Sequence, residues 1–305
     1  MICLVSKNST QTPTTMSLRK AFQLKTLFTA EQNLFADEKK IAATKTPAEW
    51  IDFFEELVEF DEVVDAAYDK VGNAMIGFGV VGVICFIVAF FFPPLFILFL
   101  VLLIIFLVLW SRQKELIRLN IENRMRHFVY PLVRVLAQEM EADGMIYIEA
   151  DFKVGLNPTY KTNNEKKKIN GRDIDSTYYA YDILQLTAKL ADKNELHLAI
   201  HEQARMNKVG KYNARGKYKT KTKYKVKTAF ESSLVVKKQN FTLKKASANG
   251  TIPLEGGKKL YIKDKGDKVI VTNFHQVIST EAYPIPTVPQ VLGTIAPCYQ
   301  ALQQN

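Results

Sequence analysis

Cysteine is scarce in this 305-residue chain. Cys3, Cys85 and Cys298 are odd in number and far apart, which excludes a disulfide framework and any Cys-x-x-Cys zinc site and fits a reducing compartment. Histidine is equally sparse, at His127, His197, His201 and His275. His197 and His201, in HLAIH, would share a metal only on a helix, and on the strand their surroundings demand they lie ~13 Å apart. No phosphate loop, dinucleotide fingerprint, HExxH or nucleophile elbow occurs. Asp173 and Asp175, in GRDID, form a close carboxylate pair in an expected loop, where solvation accounts for them. The expectation is therefore a protein that is not an enzyme and has no cofactor and no metal. A cleavable signal peptide is not expected either, because MICLVSKNST lacks a basic start and a long apolar run.

The largest absence is charge. No Asp, Glu, Lys or Arg occurs between Lys70 and Arg112, a gap of 41 residues from Val71 to Ser111. One membrane span needs ~20 apolar residues, so the gap holds two spans folded as a hairpin. Pro93 and Pro94, in FFFPPLF, mark its turn, since proline supplies no backbone donor and restricts the residue before it. The spacing predicts helices over 72–92 and 95–110. Gly72, Gly79, Gly82 and Ala89 form a seam of small residues on the first, against which the bulky second helix can pack, and Trp110 ends that second helix as an interfacial anchor. A helix of 16 residues reaches only ~24 Å, so a wedge inserted from one face is the alternative to full spanning.

Either arrangement returns the chain to the side it came from. Arg112, Lys114, Arg118, Arg124 and Arg126 follow the second helix, which places both termini on the cytoplasmic side of an inner or plasma membrane. The two flanks are complementary. Residues 1–70 carry eight basic and twelve acidic side chains, and residues 111–305 carry thirty-three and nineteen. TPAE at 46–49 has the form of a capping box and starts an acidic helix whose apolar stripe is Trp50, Phe53, Phe54, Leu57, Phe60, Val64 and Ala67. Ile117, Ile121, Met125, Phe128 and Leu132 make a second stripe on a basic helix, so the two predict an antiparallel stalk.

Beyond the stalk the period changes from helical to alternating. After a short helix near 131–142, MIYIEADFKV alternates as a half-buried strand, KTNNEKKKINGRD is a polar loop, and STYYAYDILQLTAKL, ELHLAIHEQARMN and KKLYIKDKGDKVIVTNF continue a meander with one covered and one wet face. Pro284, Pro286, Pro289 and Pro297 mark the end of the chain as an irregular tail or a peptide that lies on another surface.

Within that meander, KYKTKTKYKVKT puts Lys217, Lys219, Lys221, Lys223, Lys225 and Lys227 on one strand face. Residues 205–245, beginning with Arg205, hold fourteen basic side chains against one acid, Glu231. Alternate strand residues are ~6.6 Å apart, inside the Debye length of ~8 Å, so the row repels itself unless something compensates it. Three answers follow from charge alone: cross-strand acids such as Glu149, Asp151 or Glu202, combined with edge protection; the acidic helix; or an external anion. Tyr218 and Tyr224 alternate away from the lysines, which favours anionic lipid headgroups over stacked nucleic acid.

The combined expectation is an α+β membrane protein with a two-helix transmembrane hairpin, a helical stalk and a C-terminal, mostly antiparallel β-sheet domain. Its parts are a polar tail and short helix (1–46), an acidic stalk helix (47–70), the hairpin (71–111), a basic stalk helix (112–130), a basic β-rich domain (131–275) and a Pro-containing tail (276–305). The expected role is a binding or scaffold module for anionic partners at a membrane. The alternatives are a homo-oligomeric membrane effector or pore subunit, and nonspecific nucleic-acid binding.

Overall fold

A computed structural model describes residues 18–153, 156–169, 171–212, 215–243, 250–254 and 259–304. The expected polar tail over residues 1–15, Cys3, Val154 and part of the YNARG turn lie outside the described residues. The chain is α+β, with six α-helices and a mostly antiparallel sheet among those residues. It divides into two compact units, Met1–Asp37 with Glu56–Asn120, and Glu38–Glu55 with Ile121–Asn305.

The first unit is helical. Helices α1 (Leu18–Leu27) and α2 (Ala30–Glu38) precede α3, which runs unbroken over Pro47–Ala89 and belongs to this unit from Glu56 onward, its first turns through Glu55 being part of the second, and α4 covers Leu95–Leu119. Thr46 and Glu49 exchange the hydrogen bonds of a capping box at the start of α3. All seven residues of the expected stripe from Trp50 to Ala67 are buried. The acidic flank of α3 finds partners within its own unit: Glu59 with Lys20 at 3.2 Å, Glu56 with Gln32, and Asp65 with Asn120. Phe28 meets Phe60 edge to face at 5.0 Å, so the segment after α1 packs on α3 as an ordinary helix neighbour.

Helices α3 and α4 are both long and apolar enough to cross a membrane. The chain turns between them over residues 90–94, at Pro93 and Pro94, and they run antiparallel. A Cβ at Gly72 would meet Gln113, one at Gly79 would touch Phe106 at 3.6 Å, and one at Gly82 would lie 3.9 Å from Leu102. The seam of small residues therefore faces α4, with Ala89 half-buried near the turn. Their outer faces are bare: Ile76, Val83, Phe91, Ile97, Ile104 and Val108 are among the exposed side chains.

Two helix boundaries differ from expectation. The second helix does not stop at Trp110 but continues to Leu119, and the basic helix expected over 112–130 is not one piece. It breaks at Asn120, whose backbone is extended (φ −56°, ψ 129°) and whose side chain bonds Asp65. A π-turn over Met125–Val129 then leads into α5 (Tyr130–Gln138). The break shifts the phase of the stripe, so Leu116 is buried and Ile117 is exposed, while Ile121, Met125, Phe128 and Leu132 stay buried.

The second unit is built on a nine-stranded antiparallel sheet. Its strands are β1 (Lys40–Lys45), β2 (Ile146–Asp151), β3 (Lys161–Ile169), β4 (Arg172–Lys189), β5 (Glu195–Tyr212), β6 (Tyr218–Lys237), β8 (Thr251–Pro253), β9 (Lys259–Lys265) and β10 (Lys268–Ser279). Strand β7 (Phe241–Leu243) pairs instead with β11 (Leu302–Gln304). The large sheet has the order β1-β2-β4-β5-β6-β10-β9-β8, with β3 beside the first half of β4. Strand β1 precedes the helical hairpin in sequence yet opens the sheet, pairing Lys40 with Asp151 and Lys45 with Ile146. Trp50, in the first turns of α3, donates its indole N–H to the Ile146 carbonyl at 2.9 Å.

Two further segments differ from their reading. KTNNEKKKI is strand β3, not a loop. Nearly all its residues are exposed, so it has no apolar alternation to betray it, and Gly171 in the left-handed region (φ 70°) closes its hairpin with β4. The end of the chain is not an irregular tail. Residues 288–300 form helix α6, capped reciprocally by Thr287 and Gln290, with Pro289 in the first turn where its missing N–H costs nothing. Helix α6 lies on the covered face of β6 and β10: Asn273 donates to the Thr294 carbonyl at 2.9 Å, and Ser232 and Thr294 share a hydroxyl bond. Burial there pushes the Cys298 thiol up to about 12, an inert position for a thiol.

Candidate functional site

Strand β6 alternates as its sequence requires, but its two ends live in different surroundings. From Val226 to Val236 every even residue is buried and α6 or other core groups cover them. From Tyr218 to Lys223 both faces are exposed. The pairing explains the change. Strand β5 accompanies β6 along its whole length, from Tyr212 opposite Tyr218 to Glu195 opposite Val235. Strand β10 pairs it only from Val226 to Lys237. The segment Tyr218–Lys225 is thus an edge on that side among the described residues, and lysine is a residue that keeps such an edge from pairing with another chain.

The structure brings Lys219, Lys221, Lys223, Lys225 and Lys227 onto one open face, in line. Their directly opposed neighbours on β5 are Lys211, Val209, Asn207, Arg205 and Gln203, which are neutral or of like charge. No ion pair among the described residues involves any of these five lysines. Lys217 stands just before the strand, exposed.

None of the three acids expected to compensate the row across the sheet does so. Glu202 points to the covered face opposite Thr228, Asp151 pairs with Lys40 at 2.5 Å and also bonds Tyr160, and Glu149 accepts from Tyr147. Their sequence distance gave no warning, because a one-residue difference in register decides which face an acid serves. Glu165 of β3, three strands from the row, reaches this face and is held by Lys167 at 2.8 Å, while Asp182 and Glu231 lie farther along the same face, Asp182 engaged by His201.

Arg205 is positioned with unusual care for a surface group. Its Nε donates to Asn207 Oδ1 at 2.9 Å, its Nη2 to Ser176 Oγ at 3.3 Å, and its guanidinium lies 5.3 Å from the centre of the Tyr178 ring. Tyr178 is the aromatic that sequence reading missed. Tyr218 and Tyr224 do face away from the lysines, but β4 lays Tyr178 opposite Arg205, which lies opposite Lys225. Only the strand register could have revealed it.

On the reverse face, Tyr218 lies across Gly210, where any Cβ would collide with its hydroxyl, and Tyr212 meets its ring edge to face at 5.0 Å. Asp173 and Asp175 are on strand β4, not in a loop, beside Lys168 and Lys166 of β3. His197 and His201 stand on β5, engaged by Thr187 and Glu195 and by Asp182 respectively. Of the membrane-anchor residues, Trp110 is exposed, with the Lys114 ammonium 3.7 Å above its ring.

A second cluster that the sequence did not flag lies in the core of this unit. Arg124 and Glu202 are both buried and pair at 3.0 Å; Tyr181 donates to Glu202 Oε2 at 2.7 Å and Thr228 to its Oε1 at 2.9 Å. Burial raises the Tyr181 hydroxyl well above its ordinary value, with the Glu202 charge adding to it. Glu122, 3.9 Å from Arg124, is raised by desolvation, which outweighs the nearby guanidinium. This network is saturated on the carboxylate side and ties the segment before α5 to β4, β5 and β6.

No protein-family model matches the chain, and no curated protein sequence or solved structure matches it.

Proposed function

We propose that the chain is an integral membrane protein anchored by the α3–α4 hairpin, with both termini on the cytoplasmic side, and that its basic sheet binds anionic lipid headgroups as a scaffold at the membrane surface. The observation that carries this reading is the unpaired row Lys219–Lys227, on an open face where every cross-strand neighbour is neutral or basic. Five aligned ammonium groups gain free energy from any dense anionic surface, at about 1 kcal/mol for each that reaches it. The bare apolar flanks of α3 and α4 support the membrane half of the reading, since a chain exposing that much hydrocarbon needs something to cover it. Arg112, Lys114 and Arg118, directly after the apolar stretch, support the orientation.

The test uses the full chain in nanodiscs of neutral phosphatidylcholine, because β1 and Trp50 precede the hairpin and a fragment starting after it would lack them. Added vesicles containing phosphatidylserine should bind the discs, and binding should weaken steeply with salt. The variant Lys219→Gln, Lys221→Gln, Lys223→Gln should lose most of that binding while staying folded. Equal binding to neutral and anionic vesicles would remove the lipid reading. Tyr178 beside Arg205 favours one competitor, a single-stranded nucleic acid stacking a base there. A short oligonucleotide that displaces the vesicles and binds more tightly than they do would decide for it.

A further inference from the structure

The lysine face is not uniform. Beside Lys225 and Lys227 it sinks into a depression of about 370 Å³, whose walls include Tyr178, Arg205, Gln203 and Thr162. Two features of the chain create it. Ala180, opposite Gln203, has almost no side chain, so the face loses height there. At the same place the β3–β4 register slips between Lys161 and Asn163, a bulge that lifts Thr162 out of the ladder. Three cations converge on the hollow, Arg205, Lys225 and Lys227. The first is held by Asn207 and Ser176, while its Nη1 has no hydrogen bond among the described residues. Of the acids on this face, Glu165 is engaged by Lys167 and reaches the Tyr178 hydroxyl only at 3.5 Å, and Asp182, two residues from Ala180, is engaged by His201.

We propose that this depression takes the phosphate monoester of a phosphorylated lipid headgroup. The inference rests on the reading that the lysine row meets lipid, and it names which lipid chemistry is preferred. A phosphodiester carries one charge and is substituted on both sides, so it can only pass over the face. A terminal monoester can enter end-on and brings close to two charges and three acceptor oxygens at neutral pH, its second ionisation lying near pH 6. Neighbouring same-face lysines stand ~6.6 Å apart, a span that one phosphate group can bridge. Arg205 supplies the directional donor that a row of lysines lacks, because a guanidinium presents paired N–H groups in a fixed plane. Thr162 and Gln203 offer neutral partners for the rest of the headgroup.

The experiment is calorimetric titration of the full chain in phosphatidylcholine nanodiscs with water-soluble dibutanoyl phosphatidylinositol 4-phosphate, dibutanoyl phosphatidylserine and inorganic phosphate. The monoester lipid should bind at least ~10-fold more tightly than phosphatidylserine, and the gap should narrow below pH 6. Arg205→Gln should abolish the preference. Lys225→Gln with Lys227→Gln, two changes at solvent-facing positions, should do the same without touching the hydrogen bonds of Arg205. Lys219→Gln with Lys221→Gln should weaken binding to anionic vesicles yet keep the preference. An absent preference, or one that survives both pocket variants, overturns this inference while vesicle binding by the lysine row still stands. Inorganic phosphate binding as tightly as the lipid assigns the hollow to free phosphate and overturns it too. Loss of all vesicle binding strikes the wider reading instead.

Discussion

The two halves of strand β6 obey one alternating pattern and yet do different things. In Val226–Lys237 the even residues fill a core, β5 and β10 pair both sides, and the odd residues carry only Lys227, Glu231 and Lys237 as charges. In Tyr218–Lys225 one side is an edge, both faces meet water over most of the length, and four odd residues are lysine. Alternation alone is therefore a weak guide to burial. What separates a structural from a functional half is whether a second strand and a covering helix arrive, and here β10 ends at Ser279 opposite Val226. Stability should reside in one half and binding in the other.

That division can be broken most visibly in its structural half. Val226→Asp should unfold the second unit, since a carboxylate would replace a fully buried side chain among Ala204 and Tyr179, whereas Lys225→Asp, one residue away, should leave the fold intact. Circular dichroism and thermal melts of the two variants give the comparison. Next in size is Glu202→Gln, which strips the buried Arg124 guanidinium of its counter-charge and should cost about 3–5 kcal/mol by chemical denaturation. The hairpin unit offers a parallel contrast. Leu57→Ala, at a fully buried position, should cost about 2–5 kcal/mol, and Glu59→Lys, which breaks an exposed pair with Lys20, only about 0.2–1 kcal/mol. A larger loss from Glu59→Lys would mark the acidic face as a partner surface.

A smaller effect concerns pH. Desolvation holds the Glu122 carboxyl above its ordinary value, so the folded state keeps a proton that the unfolded state has already released. Glu122 therefore favours folding at acid pH, and that contribution fades as pH rises through its folded value. Glu122→Gln should flatten the stability profile just above pH 4.5, and an unchanged profile would show that the guanidinium of Arg124 cancels the effect of burial.

Legibility in the sequence followed the strength of each physical signal. A gap of 41 uncharged residues, a proline pair and a TPAE cap placed both long helices and the turn between them, and the apolar stripe of α3 is buried residue for residue. The lysine alternation likewise put the row on one open face. Three things escaped. Strand β3 is exposed on both faces and so carries no period, while α6 hid behind Pro289 and Pro297 even though Thr287 and Gln290 spell its cap. The third was long-range: β1 joins the sheet from before the hairpin, and Tyr178, Arg205 and Lys225 come together only through the registers of β4, β5 and β6. Such pairings lie between segments, and single-segment patterns do not encode them.

The central claim, that the edge half of β6 is the surface that meets an anionic membrane, is tested most directly by lysine footprinting. The full chain in neutral nanodiscs is acetylated with and without phosphatidylserine vesicles, and the modified sites are read by mass spectrometry. The account predicts that Lys219, Lys221, Lys223 and Lys225 lose reactivity when the vesicles are present, while Lys237 and Lys268, at the far end of the same face, do not. Protection that is absent from the row, or that neutral vesicles produce equally well, would contradict it.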